Sequence, residues 1–307
     1  MKVLVTGGAG FIGSHVVAKL AAKNWPVVVI DNLSTGLAAN VHPRARLEKL
    51  DIAKDDLRPL FAAEHFDAVI HLAAQTAVPR SVAAPDFDCA VNVLGTVNIL
   101  EACRQTGVRR VIFASSAAVY GDAAAIPLAE DAAGSPTSFY GLSKLTAEKY
   151  LHLYHELFGL DYIVLRYANV YGERQGDGGE GGVVSIFARC LANGQPIVIY
   201  GDGGQTRDFV YAGDVAEANC LALVTPAANA VYNISTQSET AVNELASFMA
   251  KVAGRELRLN HRPVREGDIY RSALANQAAV TKLGWQPATS LIEGLAATYQ
   301  ALQGARP

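Results

Sequence analysis

A run of strand-forming residues, Val3 to Thr6, leads directly into Gly7-Gly8-Ala9-Gly10-Phe11-Ile12-Gly13 and then into a helical pattern. No other feature of the 307 residues constrains the fold as tightly. Glycines at this spacing let the backbone turn sharply and approach an anion closely. The helix that follows points its free N–H groups and positive dipole end at that anion. Gly8, Gly10 and Gly13 satisfy GxGxxG, while Gly7, Gly10 and Gly13 satisfy GxxGxxG. Either pattern, between a strand and a helix, is the phosphate-binding turn of a dinucleotide-binding βαβ unit. A glycine-dense turn alone also has a purely steric explanation, so its context decides.

The context is a repeated alternation. Val3 to Thr6, Val27 to Asp31, Ala68 to Leu72, Val111 to Ser115 and Tyr162 to Arg166 read as strands, each a nearly continuous apolar run. Such runs suit parallel strands covered on both faces. Helical patterns lie between them at Gly13 to Lys23, Cys89 to Thr106 and Tyr140 to Phe158. Strand and helix in turn predict an α/β fold, a Rossmann-type doubly wound parallel sheet. After Arg166 the rhythm weakens, and Gly172 to Gly182 is a charged, glycine-dense loop, either a linker or a functional segment. A division near residue 167 is expected, with a dinucleotide-binding domain over 1–167 and a smaller α/β region over 168–307. Tyr232 to Ser235 reads as a strand that returns to the first domain, within a segment near 213–235.

Half of the residues are hydrophobic and 18% are charged, enough for a large core in a globular chain. The formal net charge of -3 argues against nucleic acid or an anionic membrane surface as a partner. Cys89, Cys103, Cys190 and Cys220 are widely spaced, with no CxxC, which predicts free buried thiols and neither zinc nor a disulfide. The N-terminus shows no basic region, apolar core or cleavage site, and no apolar run approaches the length of a membrane span. A cytoplasmic location is expected.

Two groups carry candidate chemistry. Asp31, at the end of the second strand, lies near the spacing of an acid that accepts hydrogen bonds from an adenosine ribose. Its charge repels a 2′-phosphate, so NAD is expected over NADP. Asp51-Ile52 follows a third strand and is a weaker candidate for the adenine. Further on, Tyr140 and Lys144 stand four residues apart at the start of a helix, and so share a face. A nearby ammonium, the helix dipole and an oxidised nicotinamide ring are expected to lower the phenol pKa and make Tyr140 a general base. Ser115-Ser116 ends the preceding strand, where ligands gather in α/β sheets.

Taken together, TGGAGFIG, DNLSTG, HLAAQTAVPRS, NVLGT, FASSAAVYG, YGLSK, LRYANVYG, GDGGQTRDFVY and REGD resemble the extended short-chain dehydrogenase/reductase family, and within it the UDP-glucose 4-epimerases. The likeness covers nearly the whole chain. It implies Tyr140 as base, Lys144 on the nicotinamide ribose and Ser116 as the catalytic serine. It implies NAD contacts at Gly7, Gly10, Phe11, Ile12, Gly13, Asp31, Asn32, Ser34, Thr35, Gly36, Asp51, Ile52, Leu72, Ala73, Ala74, Asn92 and Ser115. For a UDP-sugar it implies Asn169, Val184, Tyr200, Arg207, Arg265, Asp268 and Ser272. Two arginines suit a diphosphate through charge-assisted, bidentate hydrogen bonds.

The reaction implied is oxidation at sugar C4, rotation of the 4-keto sugar, and reduction from the other face. Related dehydratases carry Asp-Glu after the catalytic hydroxyl residue, and related decarboxylases a Glu; here Ala117 and Ala118 follow Ser116. UDP-glucuronate 4-epimerase stays open as an alternative. A non-catalytic NAD-binding regulator is expected to lack the tyrosine or the lysine, and both are present. The resemblance also implies a homodimer formed by the helices at Cys89 to Thr106 and Tyr140 to Phe158. Ser272, where some relatives carry tyrosine, implies room for an N-acetyl group.

Overall fold

The computed structural model describes residues 1–122, 125–176, 182–264 and 269–304. Seven parallel strands form the central sheet: β1 (Val3–Thr6), β2 (Val27–Ile30), β3 (Arg46–Glu48), β4 (Ala68–His71), β5 (Arg110–Ser116), β6 (Asp161–Tyr167) and β7 (Ala230–Ile234). Their spatial order is β7-β6-β5-β4-β1-β2-β3, so the direction of winding reverses between β1 and β4. In register, Val5 stands between Val29 and Ile70. β1, β2 and β4 are buried at every position, and valine or isoleucine fills most of them.

Alternate residues of each strand feed two cores. Val3, Val5, Val29, Ile70 and Ile112 face one side of the sheet with Val16, Val17 and Leu20 of α1 (Phe11–Ala22). Leu4, Val28, Ile30, Val69, Val111 and Phe113 face the other. There they meet Phe61 of α2 (Arg58–Glu64), Ile99 and Leu100 of α3 (Gly95–Thr106), and Ala147 and Leu151 of α4 (Phe139–Phe158). Ser138 caps α4 by accepting the Gly141 N–H at 3.1 Å, and Gly159 ends it in the left-handed region. The expected helix before Thr106 is interrupted: α-helix over Pro85–Cys89 passes through a π-turn, Ala90–Leu94, into α3.

Beyond β6, α5 (Val183–Ala192), α7 (Val242–Ala253) and α8 (Leu291–Gly304) enclose a separate core. Phe187, Leu191, Ile197, Ile199, Leu245, Met249 and Leu295 form it. Two strands, Ile197–Tyr200 and Leu259–Arg262, pair in parallel against it. The chain also crosses back: α6 (Ala212–Val224) contributes Val215 and Ala218 to the core shared with α1, and β7 pairs with β6. Of the expected glycine-rich loop, residues 177–181 lie outside the described residues.

All four cysteines are free. Cys103 and Cys220 are buried as expected, but Cys89 is exposed. Asp88 turns inward on the same helix, and one residue further round the helix Cys89 faces out. Among the described residues no helix is long and apolar enough to cross a membrane.

Candidate active site

The carboxyl ends of β1, β2, β4 and β5 meet at the winding reversal, the crevice in which such sheets bind ligands. The glycine turn lies there. Gly7 has φ of +71°, and a Cβ on it would stand 2.7 Å from the Ala73 nitrogen. Three glycines converge on one carbonyl: a Cβ on Gly10 or Gly13 would lie 3.2 or 2.0 Å from the Gly7 oxygen. This singles out the GxxGxxG spacing; Gly8 instead abuts Val29 of β2. Gly10 caps α1 with no side chain, so the first-turn N–H groups at Phe11, Ile12 and Gly13 face an open cradle suited to a phosphate.

Asp31 is buried and already ties the cradle together. Its Oδ2 accepts the Ala9 N–H at 3.0 Å and its Oδ1 the Leu33 N–H at 2.8 Å. Gly36 is buried against Ala9, whereas Asn32, Ser34 and Thr35 are exposed on the same loop. Asn32 donates to Asp51 Oδ2 at 3.1 Å. Burial pushes the Asp51 carboxyl up, but hydrogen bonds from the Ala53 N–H and Asn32, with the Lys54 charge, hold it below its ordinary range. Ile52 packs on Gly95 at the start of α3.

A polar relay joins the cradle to the π-turn. Thr6 Oγ1 accepts the N–H groups of Leu72 and Ala73, both at 3.1 Å, and therefore donates its own proton to His71 Nδ1 at 2.7 Å. That leaves Nε2 protonated and donating to Thr96 Oγ1 at 3.0 Å. Thr96 in turn donates to the Asn92 carbonyl, within the π-turn, at 2.6 Å. The Asn92 side chain is buried and bonds Gln75 on both sides, accepting its N–H at 2.8 Å and donating to its carbonyl at 2.9 Å. It also reaches Asp88 at 3.2 Å and Ser143 at 3.1 Å. Ala74 is half-buried between these groups.

Tyr140, Lys144 and Ser116 come together where α4 crosses the end of β5. The Ser116 hydroxyl lies near enough to the Tyr140 phenol to act on its titration, and its oxygen accepts the Ala118 N–H at 3.2 Å. Lys144 Nζ donates to the Ala114 carbonyl at 2.9 Å and lies 4.9 Å from the centre of the Phe113 ring. Burial pulls the ammonium down to about 8, against the charges of Asp88 and Glu148, which hold it up. The phenol does not follow the expected direction. Burial pushes Tyr140 above its ordinary value, the Ser116 hydroxyl pulls it down, and Asp88 pushes it up again. Lys144 is committed to a main-chain carbonyl and does not offset that burial.

The second group of candidates lies across the crevice. Asn169 is exposed on the short strand Asn169–Tyr171, which runs beside Phe209–Tyr211. Tyr200, Arg207 and Ser272 are half-buried. Gln205 donates to the Tyr200 carbonyl at 2.9 Å, Thr206 to the Tyr270 carbonyl at 2.9 Å, and Arg207 to the Thr206 carbonyl at 2.8 Å, so these stretches form one edge. Val184 packs inside the core of the second region with Phe187 and Leu191. Arg265 and Asp268 lie outside the described residues.

Residues 3–235 match the NAD dependent epimerase/dehydratase family. The chain belongs to this family. It is 42% identical over 306 residues to the UDP-glucose 4-epimerase of Mycolicibacterium smegmatis, covering 98% of both chains. Among solved structures, the UDP-glucose 4-epimerase of Thermotoga maritima with UDP-glucose aligns with a TM-score of 0.97 at 40% identity over 99% of both chains. That of Thermus thermophilus, in complex with NAD, aligns at 0.94 and 41% over the full length of both. As a member of this NAD-dependent epimerase/dehydratase family the protein is an enzyme, and its cofactor is NAD. The cradle around the Gly7 carbonyl and the acid at Asp31 fit that dinucleotide.

Four buried groups beside this site escaped the sequence reading: His71, Asp88, Glu148 and Arg166. Only Glu148 carried a signal. It stands four residues past Lys144, continuing the spacing that picks out Tyr140 and Lys144.

Proposed function

We propose that this epimerase-family enzyme interconverts UDP-glucose and UDP-galactose by inverting sugar C4, and that it also accepts the N-acetylated pair. The placement of Tyr140 and Lys144 on one face of α4, with the Lys144 ammonium on the Ala114 carbonyl next to Ser116 at the end of β5 and beside the glycine cradle of β1, carries this reading. In it Tyr140 takes the proton from sugar O4 and later returns it, while Ser116 holds the same oxygen and bridges the transfer. Lys144, kept charged by Asp88 and Glu148, binds the nicotinamide ribose. Bound NAD supplies the acceptor, and then the donor, for the hydrogen at C4. The half-buried Ala117 and Ala118 place no acid or base after Ser116, which favours epimerisation over elimination or decarboxylation. Incubation with a panel of UDP- and dTDP-sugars, followed by separation of C4 epimers, tests the reading; elimination products or no turnover would sink it.

The NAD half is assigned to residues 1–167 together with 213–235, and the nucleotide-sugar half to the rest of 168–307. Asn169, Tyr200, Arg207 and Ser272 face the sugar nucleotide in this assignment, with Arg265 and Asp268 as further contacts. Asp31→Ala is expected to weaken NAD binding and to narrow the preference over NADP, because the charge facing a 2′-phosphate disappears. Titration with both cofactors measures it, and a parent protein that prefers NADP would refute the role of Asp31.

A homodimer is assigned to the outer face of α4. Leu151 and Tyr154 pack inside the subunit, but Leu142, Leu153, Leu157 and Phe158 stay exposed, Leu157 at 68%. That apolar surface is larger than a single subunit covers. Light scattering at micromolar concentration is expected to give a dimer, and Leu153→Glu with Leu157→Glu a monomer. A monomeric parent would contradict the assignment.

Ser272 sets substrate breadth. Its neighbours are committed elsewhere, Arg271 to Glu239 at 2.6 Å and the Tyr270 hydroxyl to Asp202 at 3.3 Å. Ser272→Tyr is expected to cost UDP-GlcNAc roughly 10–200-fold more in kcat/KM than UDP-glucose, the usual size of steric exclusion. Equal losses for both sugars would remove Ser272 as the gate.

A further inference from the structure

One face of α4 meets three consecutive residues of β5. Lys144 Nζ donates to the Ala114 carbonyl at 2.9 Å, Ser115 Oγ donates to Glu148 Oε1 at 2.5 Å, and Ser116 lies near the Tyr140 phenol. Tyr140, Lys144 and Glu148 are spaced by four, so a single helical face makes all three contacts. The Glu148 carboxylate is also gripped from β6, where Arg166 Nε donates to Oε1 at 3.0 Å and Nη2 to Oε2 at 2.7 Å. Both side chains are almost wholly buried.

Arg166 extends the chain of contacts away from the helix. Its Nη1 donates to the Tyr120 hydroxyl at 2.8 Å and to the Glu130 carbonyl at 3.0 Å. Tyr120 donates to Asn233 Oδ1 on β7 at 2.7 Å. The Asn233 amide then donates to the carbonyls of Leu128 and Ala275 at 2.9 and 3.0 Å, and its N–H to Glu130 Oε1 at 2.8 Å. Ala275 is three residues past Ser272. One polar chain therefore runs from the helix of the candidate base to the segment that borders the candidate sugar pocket.

A buried ion pair contributes little net stability compared with well-packed apolar side chains, because desolvating two charges offsets their attraction. Its distinctive contribution is geometry, since a bidentate carboxylate–guanidinium pair tolerates little displacement. Displacements of about 1 Å at a reacting group cost rate steeply. We propose that Glu148 and Arg166 are positioning residues: their ion pair sets the height and rotation of α4 on β5, and so the placement of the Tyr140 phenol and Lys144 ammonium relative to the sugar. This inference rests on the C4-epimerase reading above.

Glu148→Asp tests it, since the variant keeps the charge but is one methylene too short to hold Ser115 and Arg166 together. Its kcat is expected to fall roughly 10–100-fold, with KM for the sugar and the affinity for NAD within about twofold of the parent. Ser115→Ala, which cuts the helix–strand bond and leaves the ion pair, is expected to lower kcat in the same direction with near-parent thermal stability. It decides the matter if Glu148→Asp does not fold. Amide exchange gives a readout free of substrate: exchange is expected to quicken over 139–148 and to stay unchanged in α1. Should the parent turn over no nucleotide-sugar, the functional reading fails while exchange still judges the positioning. A kcat within twofold of the parent, or unchanged exchange over 139–148, would overturn the proposal.

Discussion

Tyr140→Phe is expected to lower turnover by about two to four orders of magnitude while leaving the fold and NAD affinity intact. That is the usual contribution of a positioned general base, about 3–5 kcal/mol of barrier. The substitution removes one oxygen, the phenol oxygen near Ser116. Because burial raises the phenol above its ordinary value, the neutral form dominates near pH 7 in the free protein. Parent kcat/KM is therefore expected to climb with pH through the neutral and mildly alkaline range, and the phenylalanine variant to lack that limb. A pH–rate profile on both proteins measures it. A Tyr140→Phe enzyme with the parent rate would place the base elsewhere.

The second large effect concerns His71. Burial pulls its imidazole down to about 3, with the Lys144 charge acting in the same direction, against 6.5 for a free histidine. Between these values the unfolded chain takes up a proton that the folded protein refuses. Stability is thus fully present above about pH 6.5 and is lost as pH falls toward 3. The limiting slope is about 1.4 kcal/mol per pH unit. The refusal has a local cause: Thr6 donates to Nδ1, so a proton there would set donor against donor. His71→Gln is expected to be less stable than the parent near pH 7.5, yet to lose less of its stability on acidification. Urea unfolding at three or four pH values measures both. Parallel curves for the two proteins would show that His71 is not the acid-sensitive group.

All six strands read from sequence are present, Tyr232 to Ser235 within β7, and the first five were legible because burial on both faces forces a continuous apolar run that needs no knowledge of neighbours. β3 was harder to read: it is a three-residue edge strand, Arg46–Glu48, with charged ends. The second region hid its strands for a related reason. Leu259–Arg262 is exposed at every position, so neither alternation nor an apolar run marks it. At the site, spacing along one helix was enough to pair Tyr140 with Lys144. His71 and Arg166 gave no such sign, since each draws its meaning from partners far along the chain, Thr6 and Thr96 for one, Glu148 and Tyr120 for the other. The Tyr140 shift runs upward because burial of the phenol dominates it, and burial is set by packing that no residue letter encodes.

β7 belongs to the sheet, but the chain reaches it only after building α5 and the strand Ile197–Tyr200 of the second region. During synthesis the central sheet therefore waits for its outer strand until residue 234 has left the ribosome. Until then β6 presents a bare row of N–H and C=O groups, with Tyr162, Val164 and Arg166 beside it. Such an edge invites pairing with another chain. The nascent protein passes through an interval in which six strands of the sheet have been made but its outer edge is bare, and the later half of the chain supplies the strand that covers it.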